Sequence, residues 1–234
     1  MPKQIVSVNQ AWTPAPPLPL LAKGSVHVWR AELETVDDGL LELLSAEERT
    51  RGERLLRERD RTLWMRSRGV LRALIGRYLQ TDGSNLAFTT GEHGKPSLLT
   101  DRTSDAGLSF NLSHSGTVAL YAFALTDPVG VDVELARRSV DEVAVAARIL
   151  GPAAAARLEE LEGERRQQEF LRLWVRHEAE LKCLGMGIGR AEQAGRGEQR
   201  PWLANLDVGP RAAAAVAAAS GPRELHLWDW SPDT

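Results

Sequence analysis

Three short stretches of this chain carry residue types and spacings suited to chemistry on a phosphate. In Val129-Gly130-Val131-Asp132-Val133-Glu134-Leu135 the two acids stand two apart, so on a strand both carboxylates project from one face and Val131 and Val133 from the other. Carboxylates held side by side repel unless a cation neutralises them or one takes up a proton. Oxygen donors with few or no Cys or His point to a hard divalent ion, magnesium, and the plain alternative is the polar face of an edge strand. In Trp174-Val175-Arg176-His177-Glu178-Ala179-Glu180-Leu181-Lys182, Glu178 and Lys182 lie one helical turn apart, an arrangement that by itself also describes an ordinary surface ion pair. In Asn111-Leu112-Ser113-His114-Ser115-Gly116 a polar cluster separates two apolar segments, and it either holds a phosphate or forms a polar turn. Adjacent Ser113 and His114 on an extended chain point apart, which argues against a serine nucleophile served by a histidine base.

The elements that must position these residues follow from periodicity and punctuation. The first 24 residues contain Pro2, Pro14, Pro16, Pro17 and Pro19 and read as an extended arm. Alternation from Ser25 to Leu33 suggests a strand. Ser45 with Glu48 three positions on is a capping-box signal for a helix to about Arg57, and an apolar stripe with Leu63, Leu71, Leu74, Ile75 and Tyr78 predicts another from about Asp60 to Leu79. Short strands are expected near Leu86–Thr89, Ser109–Leu112 and Val118–Leu125, joined by turns at Gly91–Pro96 and Thr126–Pro128. From Val129 the order begins again: a strand to Leu135, helices at Val140–Leu150, Pro152–Leu161 and Gln167–Leu184, and strands at Trp202–Val208, Arg211–Ala219 and Arg223–Trp230. Gly185–Arg200 reads as a loop. The segment Ser115–Ala124 is loosely echoed near residue 214, which suggests an internal duplication.

Composition bounds the rest. With 234 residues, 43% hydrophobic, 29 Lys+Arg against 32 Asp+Glu and a net charge of -3, the chain is globular rather than disordered, and it is long enough for one large or two small domains. The single cysteine, Cys183, excludes an internal disulfide and a multi-cysteine metal site. No signal-peptide core or membrane span is evident, so a cytoplasmic protein is expected. Between Arg49 and Arg77, ten arginines face only Glu53, Glu58 and Asp60. That run is either a solvated helical face with pairs such as Glu53–Arg57 or a docking surface for phosphate, and the acidic overall balance argues against nucleic acid.

Taken in order, Gly94-Lys95-Pro96, Phe110 through Gly116, Gly130 through Glu134, and Trp174 through Lys182 followed by Gly185-Met186-Gly187 resemble the 4'-phosphopantetheinyl transferases of the surfactin-synthetase-activating (Sfp-type) branch. The resemblance runs from about Val26 to the last strands. It implies an α+β fold of two similar pseudo-symmetric α/β subdomains with the active site in the cleft between them. Residues 1–24 would be the arm, 25–128 the coenzyme A-binding subdomain, and 129–234 the subdomain for magnesium, catalysis and carrier docking. The implied reaction is magnesium-dependent transfer of phosphopantetheine from coenzyme A to a serine of an apo acyl or peptidyl carrier protein, releasing adenosine 3',5'-bisphosphate. Carried over by position, Asp132, Glu134 and Glu178 would hold magnesium. Glu178 would act as base for the carrier serine, and Lys182 would neutralise the bridging oxygen or protonate the leaving group. Lys95 and Pro96 would flank the adenine and its phosphates, Ser113 and His114 would contact the phosphates, and Arg51, helped by Arg68, would hold the 3'-phosphate. The resemblance also implies a monomer.

Two positions depart from the family pattern. His177 stands where the family commonly has Lys before the metal-binding Glu, so either Arg176 compensates or coenzyme A binding weakens as pH rises. Glu48 sits where some members carry a basic residue. A non-catalytic coenzyme A-binding protein of the same fold is the main alternative, and an arginine-rich nucleic-acid-binding module is a third reading.

Overall fold

The computed structural model describes residues 11–16, 19–90, 96–99, 107–136, 141–186 and 200–231. A two-residue strand β1 (Thr13–Pro14) precedes β2 (Ser25–Glu32), and short 3-10 turns lead to α1 (Ala46–Glu53) and α2 (Glu58–Leu79). The first half is completed by β3 (Phe88–Thr90), β4 (Pro96–Leu98), β5 (Leu108–Ser115) and β6 (Val118–Leu125). The second half runs β7 (Val129–Leu135), α3 (Glu142–Ile149), α4 (Pro152–Glu159), α5 (Gly163–Leu184), β8 (Trp202–Leu206) and β9 (Ala212–Ala218), and β10 (Glu224–Asp229) closes the chain.

The duplication read from the sequence is present in the strand order. In the first sheet β2 pairs antiparallel with β6 and β6 with β5; in the second, β7 pairs antiparallel with β9 and β9 with β8. Each half also carries one 22-residue helix between its first strand and its closing hairpin, α2 and α5. The echoed segments are β6 and β9, which occupy the same middle position. The last strand does not extend the second sheet: β10 lies parallel to β2, with β1 on its outer edge, so both ends of the described chain lie in the first sheet.

Strand alternation sorts the core into layers. Val26 and Val28 of β2, Leu120, Ala122 and Ala124 of β6, and Val129, Val131 and Val133 of β7 meet between the two sheets, together with Val216 and Ala218 of β9. The other face of the first sheet presents Trp29, Ala31, Tyr121 and Phe123 to Leu71, Leu74 and Ile75 of α2. The other face of the second packs Ala215 and Ala217 against Val175, Ala179 and Cys183 of α5. The sheets are thus sandwiched between the two long helices.

Several boundaries differ from the sequence expectations for local reasons. Ser45 and Glu48 form the expected capping box, but α1 ends at Glu53, so Glu53 and Arg57 share no helical face. Strand β5 continues through Ser113, His114 and Ser115 because its alternate residues are buried or bonded sideways. The turn to β6 shrinks to Gly116-Thr117, with Gly116 at φ 55°. Most arginines of the basic run serve the scaffold: Arg49 donates to the Leu41 and Leu44 carbonyls, Arg66 to Asp38 and to the Leu33 and Glu34 carbonyls, and Arg59 pairs with Glu34.

Candidate active site

Because Val129, Val131 and Val133 turn into the inter-sheet core, Gly130, Asp132 and Glu134 of β7 face the α5 side. The helix passes close. A Cβ on Gly130 would collide with the Ala179 carbonyl oxygen and lie 2.5 Å from the Cys183 amide nitrogen. That approach brings Glu178 and Lys182 over the two acids of β7. Lys182 Nζ donates to Asp132 Oδ1 at 2.6 Å, to Ser113 Oγ at 3.1 Å and to the Val131 carbonyl at 3.3 Å. Lys182 therefore ion-pairs across to β7, while Glu178, one turn back on the same helix, feels it as a nearby positive charge.

Strand β5 supplies a second set of partners, from the polar cluster that the sequence singled out as a phosphate holder or turn and not as a support for β7. Asn111 Oδ1 accepts from the Val131 amide at 2.9 Å, and Ser113 Oγ donates to Asp132 Oδ1 at 2.7 Å. Ser115 Oγ donates to Glu134 Oε2 at 2.8 Å and accepts from the Leu135 amide at 3.1 Å. No backbone ladder joins β5 to β7, so these side chains stitch the halves together and aim the carboxylates. The signal was present: polar residues at 111, 113 and 115 have the same period of two as the acids they meet.

The carboxylates are held under electrostatic tension. Asp132 and Glu178 are 3% and 8% exposed, and Asp132 Oδ2 and Glu178 Oε1 are buried without a hydrogen-bond partner. Burial pushes the Glu178 carboxyl above the usual range, and Asp132 and Glu134 push the same way against the pull of Lys182. Orphaned, buried carboxylate oxygens of this kind suit a hard cation with oxygen ligands. No three His, Cys, Asp or Glu side chains among the described residues are drawn together as a ready-made cage, and Lys182 already occupies one oxygen of Asp132.

A cleft of two neighbouring chambers that share part of their lining adjoins this cluster. One, about 280 Å3, is lined by Asn111, Leu112, Ser113, His114, Lys182, Gly185 and Met186 together with Trp64, Arg68 and Pro96, so both halves contribute to its wall. The other, about 370 Å3, shares Trp64, Arg68 and Pro96 and adds Arg51, Arg72, Phe88 and the start of α1 from Ser45 to Glu48. Arg51, Arg68, Pro96, Ser113, His114 and Lys182 are thereby brought to two chambers with a shared wall, and Asp132 is bonded to Ser113 and Lys182. Lys95 lies outside the described residues. His177 and Arg176 are not among the described residues of either wall. Burial holds the His177 imidazole below its usual range, favouring the neutral ring, and its Nε2 is buried without a partner. Arg176 turns to β8 and donates to Asn205 Oδ1 at 3.2 Å.

Glu48 lines the cleft as a compensated charge. Its Oε2 accepts from Arg72 Nε at 2.6 Å and from the Ser45 amide at 3.1 Å, and the fully buried Arg72 also donates to the Gly83 and Leu86 carbonyls. A buried pair with this many hydrogen bonds fixes α1 on α2.

Known proteins share this arrangement in sequence. A family model described as 4'-phosphopantetheinyl transferase, N-terminal, matches residues 28–125, and one described as 4'-phosphopantetheinyl transferase superfamily matches residues 128–216. The two meet at the start of β7, where the strand order begins again. The 4'-phosphopantetheinyl transferase HetI of Nostoc sp. (strain PCC 7120) is 35% identical over 189 residues, which cover 80% of this chain and 79% of HetI. The 4'-phosphopantetheinyl transferase Sfp of Bacillus subtilis (strain 168) is 27% identical over 163 residues, 70% of each chain. Among the described residues no helix is long and apolar enough to cross a membrane. Similarity that runs from β2 to β9 and spans both sheets and the cleft between them establishes that the chain belongs to the 4'-phosphopantetheinyl transferase superfamily.

Proposed function

We propose that the protein transfers the 4'-phosphopantetheine group of coenzyme A to a serine of an apo acyl or peptidyl carrier protein, acting as a cytoplasmic monomer. The observation that carries this reading is the two-chamber cleft, which runs from the arginine pair Arg51 and Arg68 to Ser113 and Lys182, the two side chains bonded to the buried Asp132. In this reading Arg51 and Arg68 hold the 3'-phosphate, Lys95 and Pro96 flank the adenine, and Ser113 and His114 serve the diphosphate. Residues 25–128 bind coenzyme A, and 129–234 supply the acids and the carrier dock, with β10 lent to the first sheet. His177, kept neutral by burial, would contribute no charge to the phosphates.

Asp132, Glu134 and Glu178 would hold magnesium, which when bound offsets diphosphate charge and makes the nucleotide a better leaving group. Glu178 takes the proton from the carrier serine hydroxyl. Its raised pKa brings it nearer the range in which a carboxylate works as a base at neutral pH. The serine oxygen forms a bond to the phosphorus that carries the pantetheine arm, and the bond from that phosphorus to the bridging oxygen breaks. Adenosine 3',5'-bisphosphate departs with the bridging oxygen. Lys182, already 2.6 Å from Asp132, is placed to neutralise or protonate that oxygen. Ser113 and Ser115 keep the acids of β7 aimed throughout.

The test is to mix the pure protein with coenzyme A, magnesium and a panel of apo carriers and to measure intact carrier mass. Addition of one phosphopantetheine to a carrier supports the reading. Tight coenzyme A binding with no addition to any carrier replaces it with a non-catalytic binding protein.

A further inference from the structure

Trp64 has no place in the reaction described above, yet it is one of three residues that line both chambers of the cleft. It lies on α2 one helical turn before Arg68, so the two side chains share a helix face. The Arg68 guanidinium carbon is 5.3 Å from the indole centroid, and that of Arg51, from the last turn of α1, is 5.9 Å away. Gly52 permits this approach, since a Cβ there would stand 3.2 Å from Trp64 Cε3 and nearer still to Met65.

The two arginines differ from their neighbours. Arg72 is neutralised by Glu48 and Arg49 is tied to backbone carbonyls, whereas neither Arg51 nor Arg68 enters an ion pair among the described residues. Arg68 Nε is buried without a partner. Two guanidiniums that face one chamber repel each other, with the Glu48 carboxylate, already paired to Arg72, offsetting part of the charge on Arg68, and as long flexible side chains they would scatter when the chamber is empty. An electron-rich indole face attracts both. At 5.3 and 5.9 Å neither is pressed flat on the ring, so their N–H forks stay available to an anion.

We propose that Trp64 is a positioning residue that holds Arg51 and Arg68 as a two-armed clamp for a terminal phosphate monoester, and so sets the preference for coenzyme A over its dephospho form. The charge match favours this group over the inner diphosphate. A monoester near neutral pH carries close to two negative charges and three acceptor oxygens, which two guanidinium forks satisfy together. The inference rests on the reading of the cleft as the coenzyme A site and adds the residue that makes its arginines selective.

The experiment measures, by calorimetry on the full chain, the affinities for adenosine 3',5'-bisphosphate and adenosine 5'-monophosphate, and takes their ratio. Trp64→Leu is expected to lower that ratio about tenfold, and Trp64→Phe, which keeps an aromatic face, to hold it within about threefold. Michaelis constants for coenzyme A and its dephospho form should shift in the same proportion, with kcat for coenzyme A moving less than KM. If Trp64→Leu weakens both nucleotides equally, the indole touches the shared adenosine and the clamp is wrong. An unchanged ratio also overturns it. Should Trp64→Leu not fold, Trp64→Met provides the same comparison. A wild-type protein that does not prefer the bisphosphate would sink the coenzyme A reading itself, whereas wild-type preference that survives in Trp64→Leu sinks only the role of Trp64.

Discussion

The two halves use one wiring diagram and fill the same slot with opposite chemistry. In the first half the residues of the leading strand that face the long helix are His27, Trp29 and Ala31, opposite Phe123, Tyr121 and Ala119 of β6. In the second they are Gly130, Asp132 and Glu134, opposite Ala217, Ala215 and Ala213 of β9. Bulk in the first half makes a rigid aromatic core in which Trp29 and Tyr121 are fully buried. Small residues in the second let α5 come down onto β7, and the space they leave holds carboxylates, with their repulsion, next to a helix that carries Glu178 and Lys182. In this slot one copy of the fold therefore supplies stability and the other stores unsatisfied carboxylate charge for function, a division that a symmetric duplication alone would not produce.

The sharpest way to break this contrast is to restore bulk in the second half. Gly130→Ala puts a methyl against backbone atoms of α5, which cannot rotate away as a side chain could. It should cost about 3 kcal/mol in urea unfolding and abolish transfer by lifting Glu178 and Lys182 off the strand. A variant as stable and active as the parent would show that the close approach of α5 does not set the site.

The next effect is on chemistry rather than folding. Glu178→Gln keeps the shape of the side chain, removes a proton acceptor and relieves repulsion from Asp132 and Glu134. Carrier modification should fall at least about a hundredfold, followed by intact mass, while stability stays level or rises by up to about 1 kcal/mol. A marked loss of stability would mean that the carboxylate is structural. Smaller again is Ser115→Ala, which frees Glu134 Oε2 and the Leu135 amide, and it should slow transfer several-fold and cost about 1 kcal/mol.

How far these features could be read from sequence depends on whether the cause is local. The capping box of α1, most of α2 and α5 (expected at about 60–79 and 167–184), and the facing of Asp132 and Glu134 all follow from neighbours within a few residues. The repeated sequence of strand, helices and strands was legible because the echo between β6 and β9 falls on equivalent positions. Long-range partners were not. Nothing near Glu48 announces that its charge is cancelled by Arg72, 24 residues on, and Ser115 reads as a turn residue until β7 is placed beside β5. The basic run misled in a similar way. Its arginine count suggested one surface, whereas carbonyls and acids from several elements engage Arg49, Arg59, Arg61, Arg66, Arg72 and Arg77, and Arg51 and Arg68 line the cleft. The crossing of β10 to the first sheet was equally invisible, since its alternation says that it is a strand and not which edge it joins.

The first half, rigid and apolar as it is, also contains a residue that makes folding sensitive to mild acid, alongside His177 of the second, whose pKa burial also lowers. His27 is 1% exposed in the slot equivalent to that of Gly130. Trp29 Nε1 donates to the Tyr78 hydroxyl at 2.8 Å, so that hydroxyl is free to donate its own proton to His27 Nδ1, also 2.8 Å away. This chain of bonds requires a neutral imidazole. Burial, with a smaller contribution from His226, whose ring lies 5.1 Å away in an edge-on contact, lowers the His27 pKa from 6.5 to about 3; Trp228 closes the remaining side at 4.4 Å. Between those two pKa values the unfolded chain binds a proton that the folded chain refuses. The stability His27 permits is therefore complete above about pH 6.5 and declines as pH falls below it. From pH 7.5 to 5.5 the loss should be about 1.4 kcal/mol, read as the shift in urea unfolding free energy. His27→Gln offers Tyr78 an acceptor that does not titrate, so its stability should be lower at pH 7.5 but should change less by that same amount over the interval. Equal slopes for parent and variant would assign the acid sensitivity to another group and leave the first half, like its aromatic core, indifferent to pH.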